Sequence, residues 1–434
     1  MAPELPVVTR TPGFDTLAVH AGQAADPATG ALAVPIYLTS SFVFDDAEHA
    51  RGLFDLSVVG HVYSRVSNPT TEAAEVRLAA LEGGTACVLT SSGQAALTLA
   101  LLALARAGDH VVASASLYGG TINLLTHTFA DFGITVTLVE DPDDLAAWER
   151  AVTPETRAVL LESVGNPRGN IVDVAAVAEV AHRAGVPVVV DNTSLTPYLF
   201  RPLEHGADIV VYSATKFLSG HGTAIVGAIV DGGRFDFGAD PPRWSRLTGP
   251  DPSYHGVSFW QTFSPDGIAY AAWVRSRLMR DLGPCPSPMN SFLLLQGLET
   301  LGLRMERQSS SAEAVARWLH EDPRVGSVSY PGHPSSVWFE RARRLLPRGA
   351  GAVLALDLGT RERAAQVVDR LRLFSHLANI GDVRSLVIHP ASTTHAQLDD
   401  RELAASGVTP GTVRLSIGVE AVSDLIHDLD HALG

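Results

Sequence analysis

Gly206-Ala207-Asp208-Ile209-Val210-Val211-Tyr212-Ser213-Ala214-Thr215-Lys216 is an apolar, β-branched run that ends in small hydroxyl residues and a lysine. A short run of this kind bounded by glycine reads as a buried strand. Lys216 is the only lysine in the 434-residue chain, whose Lys+Arg total of 32 is otherwise arginine. Arginine covers surface charge and carboxylate pairing, but only lysine offers a primary amine whose pKa falls on burial and which condenses with a carbonyl. Lys216 is therefore a candidate imine-forming residue. Chance survival of one surface lysine in an arginine-biased composition would leave the same count, so the neighbouring residues have to separate the two readings. If extended geometry persists past Tyr212, Ser213 and Thr215 point to one side and Lys216 to the other. Two hydroxyls would then face an anion near the amine.

Upstream, Val186-Pro187-Val188-Val189-Val190-Asp191-Asn192-Thr193 is a second strand with an acid at its C-terminal end, where open α/β sheets bind ligands. Alone, Asp191 has the alternative reading of a turn or helix N-cap residue. Beside a unique lysine it reads as the partner of a protonated ring nitrogen. Thr90-Ser91-Ser92-Gly93-Gln94-Ala95-Ala96 lies between a strand and a helix, so the amides of Gly93 and Gln94 fall at a helix N-terminus and, with Ser92, form a phosphate seat. Tyr118, in Leu117-Tyr118-Gly119-Gly120, is placed either to stack on a planar ring or to pack as a buried tyrosine. A lysine for an aldehyde, an anion for a pyridinium and a phosphate cup are the requirements of pyridoxal 5'-phosphate. No Gly-x-Gly-x-x-Gly stands at a strand-helix junction and Gly-x-x-x-x-Gly-Lys is absent, which removes the usual support for nicotinamide or nucleoside-triphosphate binding.

Further outward, residues 1–60 are rich in Pro, Gly and Asp and read as an extended arm that packs on something else. From residue 61 to 289 strands and helices alternate: helix Thr71–Glu82, strand Ala86–Leu89, strand His110–Ser114, strand Ile134–Val139, strand Ala158–Glu162, helix Val174–Ala184 and the two strands above. That alternation implies an α/β fold with a mostly parallel sheet covered by helices on both faces. Residues 290–434 read as a smaller C-terminal α+β domain, opened by a long helix Asn290–Arg304 and holding strands near Ala352–Asp357 and Val413–Ile417.

The formal charge of −15, without basic runs, argues against nucleic acid or an anionic membrane surface as partners. Met1–Phe14 has neither a basic start with an apolar core nor a stretch of membrane-spanning length, so the expected location is the cytoplasm. Cys87 and Cys285 lack metal or redox spacing, and His389 with His395 reads as loop packing; no metal is expected.

The motifs Tyr63-Ser64-Arg65 with Asn68-Pro69-Thr70, Ser92-Gly93, Leu117-Tyr118-Gly119-Gly120, Asp191-Asn192-Thr193 and Ser213-Ala214-Thr215-Lys216 resemble the Cys/Met-metabolism PLP-dependent enzymes of fold type I. The resemblance runs from Gly13-Phe14-Asp15-Thr16 to the C-terminus. Gly165-Asn166-Pro167, Pro252-Ser253-Tyr254-His255-Gly256 with Ser258, Leu293–Thr300 and His389-Pro390-Ala391-Ser392-Thr393-Thr394-His395 point to its O-acetylhomoserine sulfhydrylase branch. It implies that Asn166 contacts the ring hydroxyl, that Arg414 holds the substrate carboxylate, and that Tyr63 and Arg65 reach a neighbouring subunit's site. A homodimer or homotetramer with shared active sites follows. The implied reaction is replacement at Cγ of an O-activated L-homoserine, a small-molecule amino acid, by a nucleophile such as sulfide. Lys216 acts as the base, with Tyr118 and Asp191 assisting. Leu38, Ser194-Leu195, the segment His221–Gly227 and Ala421 depart from that branch. These departures keep a carbon, nitrogen or larger sulfur nucleophile open, along with γ-elimination; a non-catalytic binding module stands last.

Overall fold

Alternating side chains of buried strands build the larger sheet. In the computed structural model, which describes residues 12–166, 168–393 and 408–434, its strands are β1 (Ala86–Thr90), β2 (His110–Ser114), β3 (Thr135–Val139), β4 (Thr156–Glu162), β5 (Val188–Asp191), β6 (Ile209–Tyr212) and β7 (Gly227–Asp231). In space they run β1-β7-β6-β5-β4-β2-β3. Only β7 is reversed: it pairs antiparallel with β1 and β6, and the remaining neighbours are parallel. Period-2 alternation sorts the side chains into two cores. Val188, Val190, Val210 and Tyr212 face one, and Val189, Ile209 and Val211 face the other. Burial on both faces explains why these strands read as unbroken Val/Ile runs.

The smaller sheet comprises β8 (Ser327–Ser329), β9 (Val353–Asp357), β10 (Ser375–His376), β11 (Leu386–Ile388) and β12 (Thr412–Ser416), ordered β10-β11-β12-β9-β8. Its apolar face joins the first core, because Leu354, Leu415, Leu294, Met305 and Phe217 belong to the same packed cluster as Val190. The two sheets therefore share one core, and the second can hold its loops rigidly over the rim of the first.

Three elements differ from the sequence expectation. The stretch 290–304 is not one helix: Pro288–Glu299 and Leu301–Glu321 meet at Thr300, whose backbone (φ −112°, ψ 13°) leaves the helical region. Gly297 and Gly302 stand on either side of that break, but the continuous apolar pattern conceals it. The N-terminal arm contains helices Phe14–His20 and Ala47–Phe54, and Phe14 and Ala18 enter the main core. Helices this short are stabilised by tertiary packing rather than by propensity. Strand β7 lies beyond the alternation the sequence displays, behind the turn-rich Ser219–Gly222.

Candidate active site

The C-terminal ends of β1, β2, β4, β5 and β6 converge on one rim, the side on which parallel sheets bind ligands. There they meet a loop of the smaller sheet and enclose a cavity of about 350 Å³. Ser92, Gly93, Gln94, Tyr118, Asn166, Asp191, Ser213, Thr215, Lys216 and Arg414 all line it.

At one end lies a helix start. Ser92 caps helix Gly93–Leu104, its hydroxyl accepting from the Ala95 amide at 3.1 Å. The first-turn N–H groups of Gly93 and Gln94 have no acceptor within the helix and carry its positive dipole end. A side chain at Gly93 would put Cβ 2.6 Å from the Ser213 Cβ, so glycine here lets the helix start abut the end of β6. The chain does not stay extended after Tyr212: it turns, with the Lys216 amide donating to the Ser213 carbonyl at 3.1 Å. Ser213 and Thr215 thus reach the cavity through a turn rather than by strand alternation. The Thr215 hydroxyl is committed to Val226, donating to its carbonyl at 3.2 Å and accepting from its amide at 3.0 Å.

Asp191 closes β5, and its register partner on β4 is Glu162. Asp191 Oδ1 accepts from the Thr193 amide at 2.9 Å, and Glu162 Oε1 from the Tyr118 amide at 2.6 Å. Burial pushes both carboxyls above the usual carboxylate range, and Asp191 adds to the rise at Glu162. A buried and a half-buried acid without a cationic partner among the described residues leave this end of the cavity short of positive charge. A protonated ring nitrogen supplies it, and the helix start accepts a phosphate, so the residues present fit pyridoxal phosphate.

Lys216 Nζ donates to Asn379 Oδ1 at 2.5 Å. Burial, then the positive charge of Arg414, hold the amine below its ordinary pKa. Arg414 sits mid-strand in β12, donating to the Asn379 carbonyl at 3.0 Å and to Asn166 Oδ1 at 3.4 Å. Burial lowers its pKa to about 10, which leaves it charged at neutral pH. Its remaining N–H groups form a fork suited to a carboxylate. Tyr118 is 53% exposed, which sets aside buried packing as its role.

Tyr63 and Arg65 are not brought to this cavity. Tyr63 is 41% exposed, the Arg65 guanidinium lies 4.9 Å over its ring, and Arg65 Nε donates to the Arg280 carbonyl at 3.1 Å. Buried His389 bonds to Ser392 and Pro410, while Pro167, Thr394 and His395 lie outside the described residues.

The sequence reading missed Glu162 and Asn379. Glu162 carried a signal, since it ends a recognisable strand just as Asp191 ends the next. Asn379 carried none. Its loop is seated by Gly381, whose φ of +77° suits glycine and whose Cβ would stand 2.5 Å from the Phe217 amide nitrogen, directly after the lysine.

A model of the Cys/Met metabolism PLP-dependent enzyme family matches residues 15–434. O-acetyl-L-homoserine sulfhydrylase of Leptospira meyeri is 50% identical, with 96% of this chain and 96% of that protein covered. Homocysteine synthase of Schizosaccharomyces pombe is 49% identical, covering 97% of this chain and 98% of its own. Among solved structures, a Campylobacter jejuni subsp. jejuni chain assigned as an O-acetylhomoserine (thiol)-lyase, carrying N'-pyridoxyl-lysine-5'-monophosphate, superposes with a TM-score of 0.93. It is 38% identical and covers 97% of this chain and 99% of that one.

Proposed function

The chain belongs to the Cys/Met metabolism PLP-dependent enzyme family, and from that premise we propose that it replaces the γ-acetoxy group of O-acetyl-L-homoserine with sulfide, giving homocysteine. The observation that carries this reading is the placement of the sole lysine, with its lowered pKa, in one cavity with an uncompensated acid pair and a half-buried arginine fork. Pyridoxal phosphate, when bound, supplies an aldehyde for the amine and a protonated ring that accepts the electron pair left at Cα.

The chain's own residues supply the rest. Ser92, Gly93, Gln94 and Ser213 hold the phosphate, and Thr215, its hydroxyl committed to Val226, shapes the turn beside it. Asp191 keeps the ring nitrogen protonated, Asn166 contacts the ring hydroxyl, and Tyr118 flanks the ring. Arg414 fixes the substrate carboxylate, which orients the Cα–H bond toward Lys216. The lowered pKa of Lys216 leaves a larger neutral fraction of amine to take the Cα proton and then to move one from Cβ, which lets acetate leave from Cγ; the protons are returned once the nucleophile has added at Cγ. Tyr63 and Arg65 complete the phosphate contacts of a partner subunit. Their exposure supports this, as do Leu32, Leu38, Val43, Phe44, Phe54 and Val59, exposed on the same stretch of chain. A homodimer or homotetramer, in the cytoplasm, follows from the same reading; among the described residues no helix is long and apolar enough to cross a membrane. The organisation we assign is an arm (1–60), a cofactor-binding domain (61–289) and a C-terminal domain (290–434).

The test is product mass. Purified protein with pyridoxal phosphate, O-acetyl-L-homoserine and sulfide should give homocysteine. Ketobutyrate and ammonia without a nucleophile would make it a γ-eliminating lyase. A second reading, a larger sulfur or carbon nucleophile, is favoured by Ile225, which lines the cavity and is 62% exposed. A nucleophile panel separates it from sulfide.

A further inference from the structure

Glu162 lines the cavity but has no task in the reaction above. It ends β4 directly across from Asp191 at the end of β5. Register partners of a parallel pair point to the same face, with strands about 4.8 Å apart, so the two carboxyls stand side by side at the ring end of the cavity. The cavity's other charged or titratable groups come from separate elements: Tyr118 after β2, Lys216 after β6 and Arg414 on β12. Both cations are engaged with Asn379, and neither forms an ion pair with Glu162 or Asp191. Like charges this close in a buried site do not both ionise.

The surroundings decide which acid keeps the proton. Asp191 is only half-buried, faces the cavity and accepts the Thr193 amide on Oδ1. Glu162 is 7% exposed and, among the described residues, accepts one N–H, from Tyr118, on Oε1. That bond leaves Oε2 to carry a proton without disturbing the contact. Burial and the neighbouring Asp191 favour the same outcome. The Tyr118 amide adds a second role: it anchors the backbone of the residue whose ring lies at the cavity, so Glu162 links the charge state of the ring end to the position of Tyr118.

We propose that Glu162 is a positioning residue that stays a neutral carboxylic acid with the cofactor bound, leaving Asp191 as the single counter-charge to the ring nitrogen while its Oε1 fixes the backbone of Tyr118. The proposal rests on the cofactor assignment made under Proposed function.

Infrared difference spectra of wild type against Glu162→Gln, in water and deuterium oxide at neutral pH, test it on the cofactor-loaded protein. Subtraction removes other buried acids such as Glu82. The expected difference is a deuterium-sensitive carboxylic-acid band. Glu162→Gln keeps a neutral oxygen acceptor for the Tyr118 amide, so its cofactor affinity and kcat should stay within about 3-fold of wild type. Glu162→Leu removes the acceptor and should lower kcat about 10-fold or more. An ionised carboxylate signature in the difference spectrum, or cofactor binding weakened more than about 10-fold in Glu162→Gln, overturns the proposal. If wild type takes up no pyridoxal phosphate, the functional reading falls; the ligand-free pair still shows by the same subtraction whether Glu162 holds the proton.

Discussion

Two arginines flank Lys216, Arg304 buried and Arg414 half-buried, and they differ in what their donors meet. Arg304, on helix Leu301–Glu321, donates to the carbonyls of Phe217 (2.6 Å), Leu218 (3.1 Å) and Gly297 (2.6 Å) and to the Thr300 hydroxyl (3.3 Å). Among the described residues Arg414 makes two hydrogen bonds, one of them long, and it faces the cavity. Burial lowers both to about 10, and neither has a carboxylate partner among the described residues. An equal loss of basicity therefore does not mark a binding residue; unspent donors do. Arg304 uses its charge to tie the turn after Lys216 to the smaller sheet's helices, and Arg414 keeps its charge for a ligand.

Removing the amine between them has the largest effect. Lys216→Ala should lower kcat at least about 10⁴-fold and abolish the visible absorbance of the loaded protein, with the fold retained by circular dichroism. A coloured, active variant would leave both arginines without a centre to serve. Next comes Arg414→Lys, which trades a planar fork for a point charge. We expect kcat/KM to fall about 100-fold, near 3 kcal/mol, with an unchanged urea midpoint. Arg304→Met should do the reverse. It strands the carbonyls of Phe217, Leu218 and Gly297 in the interior and costs about 3 kcal/mol of stability, while kcat/KM per folded site changes less than about 10-fold. The contrast breaks if Arg304→Met leaves stability intact but matches the catalytic loss of Arg414→Lys.

The larger sheet and its rim were legible because parallel strands buried on both faces carry a dense signal: Val188–Asp191 and Ile209–Tyr212 each present β-branched residues followed by chemistry. The helix start at Ser92-Gly93 was legible for the same local reason, a cap followed by an apolar helix. The opposite wall was not. Asn379 reaches Lys216 from 163 residues away in sequence, and Arg304 reaches Phe217 from 87. Contacts of that separation arise when two sheets pack on a common core, and no local period encodes them. Arg414 was found through family resemblance alone; in β12 it is simply the one half-exposed position of an otherwise buried strand.

The smallest effect lies at the far end of the strand that leads to Lys216. Asp208 precedes β6, accepting from the Val188 amide at 2.7 Å and pairing with His182 Nε2 at 2.8 Å. Here, unlike at Arg304 or Arg414, a carboxylate answers the cation. The hydrogen bond to Asp208 raises the His182 pKa in the folded protein. A base raised on folding contributes stability that is full below its unfolded value of about 6.5 and is lost as pH climbs through the raised folded value. His182→Gln should therefore lower stability by no more than about 1 kcal/mol at pH 5.5. The deficit should shrink toward zero at pH 9, with kcat/KM unchanged across the range. Urea midpoints of both proteins at the two pH values check the sign. A deficit that grew with pH would mean that the imidazole is held neutral. The carboxylate of Asp208 would then serve the Val188 amide alone, and ion pairing would have no part in seating the strand that delivers the lysine.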